Sequence, residues 1–193
     1  VGDGVIQAGG KSAVRVQVAS RRLDEAPRPR ITLVQALLKP QAMDSVMRKA
    51  CELGVSVVQP VVTGHCVVRT RERPARWEKT MVAAAEQCGT NWVPEVAPVL
   101  TWSDWVASLA GSEELRLMCA LQEARSFRQV VREQAAMPER VTMVVGPEGD
   151  FEAAERQAAV AAGCVPVSLG ALTLRADTAA LMGVAVLRYE WGE

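Results

Sequence analysis

Arg175 and Asp177 stand two residues apart in SLGALTLRADTAALMGVAVL, residues 168–187, where a strand ends and an apolar helix begins. A guanidinium fixed beside a reacting group can stabilise developing negative charge, and a neighbouring carboxylate can orient that cation or take a proton. The plainer readings are that Arg175 is a surface charge and that Asp177 or Thr178 caps the helix. The position of Arg175 counts against the first. The helix after it carries Ala179, Ala180, Leu181, Met182, Val184, Ala185, Val186 and Leu187, and so must be buried on more than one side. It either lies deep in the domain or packs against a second subunit.

A second unusual stretch is VVGPEGDFEAAE, residues 144–155. Gly146 and Gly149 permit backbone angles or close approaches that a side chain forbids, and Pro147 stiffens the turn between them. Asp150 is placed to cap a helix with Glu152 and Glu155 in its first turn. Spacing alone leaves two readings open, a well-capped strand-to-helix loop or one wall of a ligand pocket. An acidic first turn disfavours a phosphate there. Neither GxGxxG nor GxxxxGK[ST] occurs, so nothing supports a dinucleotide or a nucleoside triphosphate.

The elements that must position these residues alternate from Ile31 onward. Strands are expected at 31–38, 55–62 (with Pro60 marking an edge or bulge), 115–121, 141–145 and 165–169. Between them, Met43, Val46, Met47, Ala50 and Cys51 mark one helix stopped by Gly54. Trp77, Met81, Ala84, Ala85 and Cys88 mark another closed by Gly89. Further helices are expected at 126–136, 151–162 and about 177–190. The class is therefore α/β, a mostly parallel sheet with helices on both faces. Such sheets bind ligands beyond the carboxyl ends of their strands, and three of those ends fall at 120–121, 146–149 and 169–170.

With 193 residues and 49% hydrophobic composition the chain can bury one good core, and no apolar run approaches the roughly 18 residues of a membrane helix. Lysine plus arginine equals aspartate plus glutamate at 22 each, so a nucleic acid would need a local patch. Five cysteines without a CxxC pair argue against a zinc ribbon or a disulfide scaffold and fit a reducing cytoplasm. The lone His65-Cys66 pair reads as a strand end, and no metal is expected. Residues 1–22, with AVRVQV alternating after a Gly-Gly turn, read as a hairpin with one buried face. DEAPRPR, 24–30, reads as a linker. The chain opens on a valine in mid-pattern, which reads as a clipped front.

Taken together with MDSVMRKACELGV (43–55) and RWEKTMVAAAEQCGTNWVPEV (76–96), the two unusual stretches resemble the RsmE family of SPOUT methyltransferases, which methylate N3 of a uridine in 16S ribosomal RNA. The likeness runs over essentially the whole chain from Gly2. It implies a C-terminal trefoil-knot methyltransferase domain over 28–193 and, over 1–27, the remnant of an N-terminal PUA-like β-barrel with its linker. It also implies S-adenosylmethionine as methyl donor, 16S ribosomal RNA or the small ribosomal subunit as partner, and a homodimer formed through the C-terminal helix region.

By that likeness Leu121, Gly146, Pro147, Glu148, Gly149, Leu169, Gly170 and Leu174 would surround the cofactor, answering the question of the Gly-Pro-Glu-Gly turn. Arg175 would be the cation that stabilises charge spreading to O2 and O4 of the uracil, and Asp177 would orient it or receive the imide proton. RNA contacts would come from Lys49, Gln87 and the basic segment holding Arg69, Arg71, Arg73, Arg76 and Lys79, whose plainer reading is a solvated loop. The family's usual Leu-Arg-Thr-Glu-Thr is here Leu174-Arg175-Ala176-Asp177-Thr178. Thr90 follows Glu86-Gln87-Cys88-Gly89 where an arginine is common, and His65-Cys66 stands for Arg-Ser. These departures bear on RNA contact more than on the cofactor. They make a catalytically idle RNA-binding relative of the same fold the alternative function.

Overall fold

The computed structural model describes residues 2–10, 12–22 and 25–192. The elements run β1 (Gly2–Gly9), β2 (Val14–Arg21), β3 (Arg30–Ala36), α1 (Pro40–Glu52), β4 (Val57–Val62), α2 (Arg76–Cys88), β5 (Glu95–Val96), β6 (Leu100–Thr101) and α3 (Trp102–Ser108). They continue with β7 (Leu115–Cys119), β8 (Arg125–Ser126), α4 (Phe127–Arg132), β9 (Arg140–Val145), α5 (Ala153–Ala161), β10 (Cys164–Ser168) and α6 (Ala176–Trp191). Of the linker expected at 24–30, Asp24 lies outside the described residues and Arg30 already begins β3.

From β3 onward the described strands form one parallel sheet in the order β5-β4-β3-β9-β7-β10-β8, with β6 also on β4. Side chains alternate between the faces of a strand. Residues 141–145 of β9 are all buried, so both faces of the sheet are covered there. α1 packs with α2 and α6, while α3 packs with α5. The core between sheet and helices is filled by Ile31, Leu33, Met47, Leu117, Met143 and Leu187. α1 starts at Pro40, whose fixed φ suits a first helical position, and buries the expected Met43, Val46, Met47, Ala50 and Cys51.

Pro60 does not sit on an outer edge. β4 pairs with β3 on one side and, on the other, with β5 through Val57 and Val58 and with β6 through Val61 and Val62. The second partner is interrupted opposite Gln59 and Pro60, so a residue without an N–H falls where no ladder bond is demanded. The Gln59 side chain bridges the gap, donating to Pro60 O at 2.9 Å and Pro98 O at 2.8 Å.

Two further expectations are corrected, and the two placements open to α6 are narrowed to one. β1 and β2 form the expected antiparallel hairpin, but both strands are exposed throughout, with Ile6 paired to Val16 and Gly4 to Val18. Cys88, expected on the buried face of α2, is exposed, and that face buries only Trp77, Met81, Ala84 and Ala85. α6 buries a single stripe of Ala176, Ala179, Ala180, Gly183, Val184 and Leu187, and its other side leaves Met182 and Tyr189 exposed.

α6 is fastened near its end by Arg188. Its guanidinium donates to Leu53 O at 3.1 Å, Arg28 O at 2.9 Å, Pro29 O at 3.0 Å and also to Gly54 O. A charged donor answering four carbonyls from two other segments is a strong tie, and burial lowers its pKa from the usual guanidinium value. Arg188→Ala is expected to cost about 2–3 kcal/mol of stability, read as a lower urea midpoint at unchanged slope.

Candidate functional site

β9, β7 and β10 are neighbours in the sheet, so their carboxyl ends open side by side. Above them lies a cavity of about 360 Å³ lined by residues 119–121, 145–148, 150, 167–176 and 179. The first turn of α6 and the loop before it form the far side. A cleft of this size, walled by apolar side chains and main chain, suits a nucleoside-sized ligand.

Leu121, Gly146, Pro147, Glu148, Leu169, Gly170 and Leu174 all line the cavity. Gly149 does not. A Cβ there would come within 3.0 Å of the His65 Cβ, and one at Gly146 within 3.1 Å of the Phe151 ring. The glycines of this turn thus admit protein side chains packed behind the wall. Gly170 differs, with φ +140 and no protein atom within 4 Å of where its Cβ would stand. Gly170 is exposed on the loop that lines the cavity.

Asp150 is not the cap of α5. It sits at φ 58, its N–H donating to Pro147 O at 3.0 Å, two residues ahead of the N-cap. Glu152 is the N-cap and forms a capping box with Glu155. Glu155 also accepts from Gly64 N at 2.8 Å, and Trp102, stacked beside Phe151, donates to Glu155 O. Likewise neither Asp177 nor Thr178 occupies the N-cap of α6, which is Arg175 with no side-chain cap bond. Asp177 Oδ1 accepts from Thr178 N inside the first turn at 3.0 Å.

Arg175 lines the cavity and its side chain is 79% exposed, with Nε 3.7 Å from Asp177 Oδ1. Asp177 lies behind it and off the cavity wall. The pair sits at a rim where a second substrate can reach it.

Cys119 and Ser168 end β7 and β10 and also line the cavity, although the sequence reading passed over them. The strand-end rule that selected Leu121 and Leu169 extends to both. Burial, with a smaller contribution from Asp150, pushes the Cys119 thiol up to about 12, so it is not a thiolate nucleophile at neutral pH. The Ser168 hydroxyl is held by its own loop, donating to Gly170 O at 3.1 Å.

The expected RNA-contact residues are more heavily paired than their spacing suggests. Arg69 donates to Cys66 O at 3.2 Å and to Gly64 O, and Arg73 donates to Val96 O and meets Glu78 at 2.7 Å. Arg76 bonds Asp44 at 3.0 Å, and Lys49 bonds Glu52 at 2.7 Å. Arg71 is 73% exposed and reaches Asp104 only at 3.8 Å. Gln87 is exposed on α2. Among the described residues no cluster of His, Cys, Asp or Glu is arranged for a metal, and no helix is long and apolar enough to cross a membrane.

The sequence matches the family model of the RNA methyltransferase domain over residues 24–188. A ribosomal RNA small subunit methyltransferase E from Synechocystis is 34% identical over 84% of this chain, which spans 54% of that relative's length. Its namesake in Mycobacterium bovis is 29% identical over 97% of this chain and 74% of its own. Among solved structures, a Legionella pneumophila methyltransferase with bound SAM superposes with TM-score 0.86 at 31% identity. It covers 98% of this chain and 78% of its own. A Neisseria gonorrhoeae ribosomal RNA small subunit methyltransferase E bound to S-adenosylmethionine gives 0.85 at 29%, with the same coverage. A match across most of the chain, on a sheet with three neighbouring strands that end in a ligand-sized cavity, assigns the family: this chain belongs to the RNA methyltransferase domain family, with the ribosomal RNA small subunit methyltransferases E among its relatives.

Proposed function

We propose that the chain is an S-adenosylmethionine-dependent methyltransferase acting on N3 of a uridine in 16S ribosomal RNA. The observation that carries this reading is the cavity at the ends of β9, β7 and β10, in a chain whose solved relatives bind that cofactor. Fit supports it. Leu121, Leu169 and Leu174 offer apolar surface for an adenine ring, the main chain of 146–148 and 168–170 offers polar atoms, and Gly170 leaves open space. When bound, S-adenosylmethionine supplies an electrophilic methyl group.

The chain's own residues do the rest. Uridine N3 must lose an imide proton, and the charge spreads to O2 and O4. Arg175 stabilises that charge, while Asp177 orients the guanidinium or receives the proton. N3 lies on the pairing edge, so the base has to be unpaired or flipped to reach the rim.

The same reading includes a homodimer through the exposed apolar side of α6, around Met182 and Tyr189, and a trefoil knot. The knot is supported by α6 packing back on β9 and β3 after the chain leaves β10 on the far side of β7. It also assigns 1–27 to a PUA-like RNA-binding β domain, 28–193 to the SPOUT domain, and the protein to the cytoplasm. The hairpin's outward Ile6, Val16 and Val18 support the first assignment, since two strands alone are marginal in water.

Calorimetry with S-adenosylmethionine and primer extension on ribosomal RNA, with and without the gene, test the function. Binding heat together with a gene-dependent stop at a uridine is expected. A folded protein giving neither leaves the idle RNA-binding relative. For RNA contact, affinity is expected to fall with salt, and Arg71→Ala to lower the slope of log K against log salt by about one. A slope indifferent to that change removes the segment from the interface.

A further inference from the structure

His65 is the chain's only histidine, and its exposed ring lies behind the cavity wall. Its Nδ1 stands 2.8 Å from Gly149 O and 3.0 Å from Asp150 O. Both partners can only accept, so Nδ1 carries a proton whether the ring is neutral or charged. Two consecutive carbonyls converging on one donor fix the orientation of the peptide between them. That peptide belongs to a turn that has Asp150 at φ 58, outside the conformations that non-glycine residues favour. Glu148 and Asp150, on either side of it, face the cavity.

We propose that His65 is a positioning residue for the cofactor cavity, holding the 147–150 turn in its lining conformation through a bond that strengthens when the imidazole is protonated. This rests on the reading of the cavity as the S-adenosylmethionine site. The anchor is itself held firmly. Gly64 N donates to Glu155 Oε1 at 2.8 Å, and Arg69, from the same loop, donates to Gly64 O and Cys66 O. The charged groups around the ring are therefore Asp150 on the turn, Glu152 and Glu155 at the start of α5, and Arg69.

The Asp150 carbonyl, then the Gly149 carbonyl, raise the His65 pKa above its ordinary 6.5 against an opposing effect of desolvation, with Glu152 and Glu155 assisting. A raised pKa gives the sign: the charged latch is complete below about 6.5 and weakens as pH rises through the folded value, leaving a neutral N–H donor above it.

Because linkage is reciprocal, a latch that favours cofactor must be favoured by it. The sole histidine gives one ring signal in a labelled protein, so its titration midpoint is read directly by NMR. Saturating S-adenosylmethionine is expected to move that midpoint upward by about 0.3–0.5 pH unit, equivalent to a two- to threefold tighter binding to the protonated form. By calorimetry His65→Ala is expected to weaken affinity by about tenfold. His65→Asn, whose amide nitrogen stands where Nδ1 stood and keeps a neutral donor, should lose less and bind equally at pH 6 and pH 8.5. A midpoint unmoved by cofactor, in wild-type protein shown to bind it, overturns the proposal. So does wild-type affinity in folded His65→Ala. If that variant does not fold, the wild-type titration and His65→Asn decide. Absence of binding heat from wild type is a different failure, and overturns the assignment of the cavity itself.

Discussion

Arg175→Ala is expected to lower methyl transfer by about two to three orders of magnitude, the usual cost of removing one donor from a developing oxyanion. S-adenosylmethionine affinity should stay within about twofold, since the lost group is expected to act on the transition state and not on the bound cofactor. The fold should be indifferent. The side chain is 79% exposed and its one ion pair, to Asp177, is 3.7 Å long, a kind of contact that contributes little in water. Single-turnover methylation of a 16S fragment, run beside calorimetry, separates the two effects. Unchanged turnover would refute the role of Arg175. A parallel loss of cofactor affinity would move Arg175 from the reaction to the pocket. Asp177→Asn, isosteric and uncharged, should show a smaller loss, and its pH profile would tell orientation from proton transfer.

Gly170→Val is expected to weaken S-adenosylmethionine binding by about a hundredfold or more. Two costs add. At φ +140 a β-branched residue is strained by roughly 1–3 kcal/mol, and 1.4 kcal/mol is already a factor of ten. The new methyls would also stand in space that holds no protein atom within 4 Å, on a residue that lines the cavity. No protein atom is displaced, but the strain that the unliganded loop retains lowers the melting temperature by about 2–4 °C per kcal/mol. A variant that binds cofactor normally would show that the cavity is not where the ligand sits.

Much of the architecture was legible because it repeats on a scale the eye can follow. The apolar spacing of α1 and the β-branched runs of β3 and β9 announce themselves, and the sequence places the ends of β7, β9 and β10 where the cavity lies. β5, β6 and β8 were not legible, because two-residue strands have no period to read. α3 was missed for a related reason. Its seven residues carry only Trp102 and Trp105 as buried markers, although Thr101 accepting from Asp104 N is a recognisable cap.

The misplaced cap of α5 is more instructive. Asp150 is the better capping type, yet Glu152 with Glu155 three residues on satisfies the reciprocal box, and Asp150 is taken up by its turn. The glycines of the cavity wall were read as making room for a ligand. Gly149 instead makes room for His65, 84 residues earlier in the chain, a contact that no local pattern encodes. The pairing of the basic segment is hidden in the same way, since Arg76 and Arg71 meet Asp44 and Asp104 outside the segment, while Arg73 meets Glu78 within it.

The tie made by Arg188 reaches back to Arg28, Pro29, Leu53 and Gly54. The cavity it helps to close is drawn entirely from residues 119–179. During synthesis, therefore, the early strands emerge with no binding site to offer, and the helix that completes the hollow is bolted down only after residue 188 clears the exit tunnel. A nascent chain stalled short of that arginine would therefore carry the parts of the cavity without its lock.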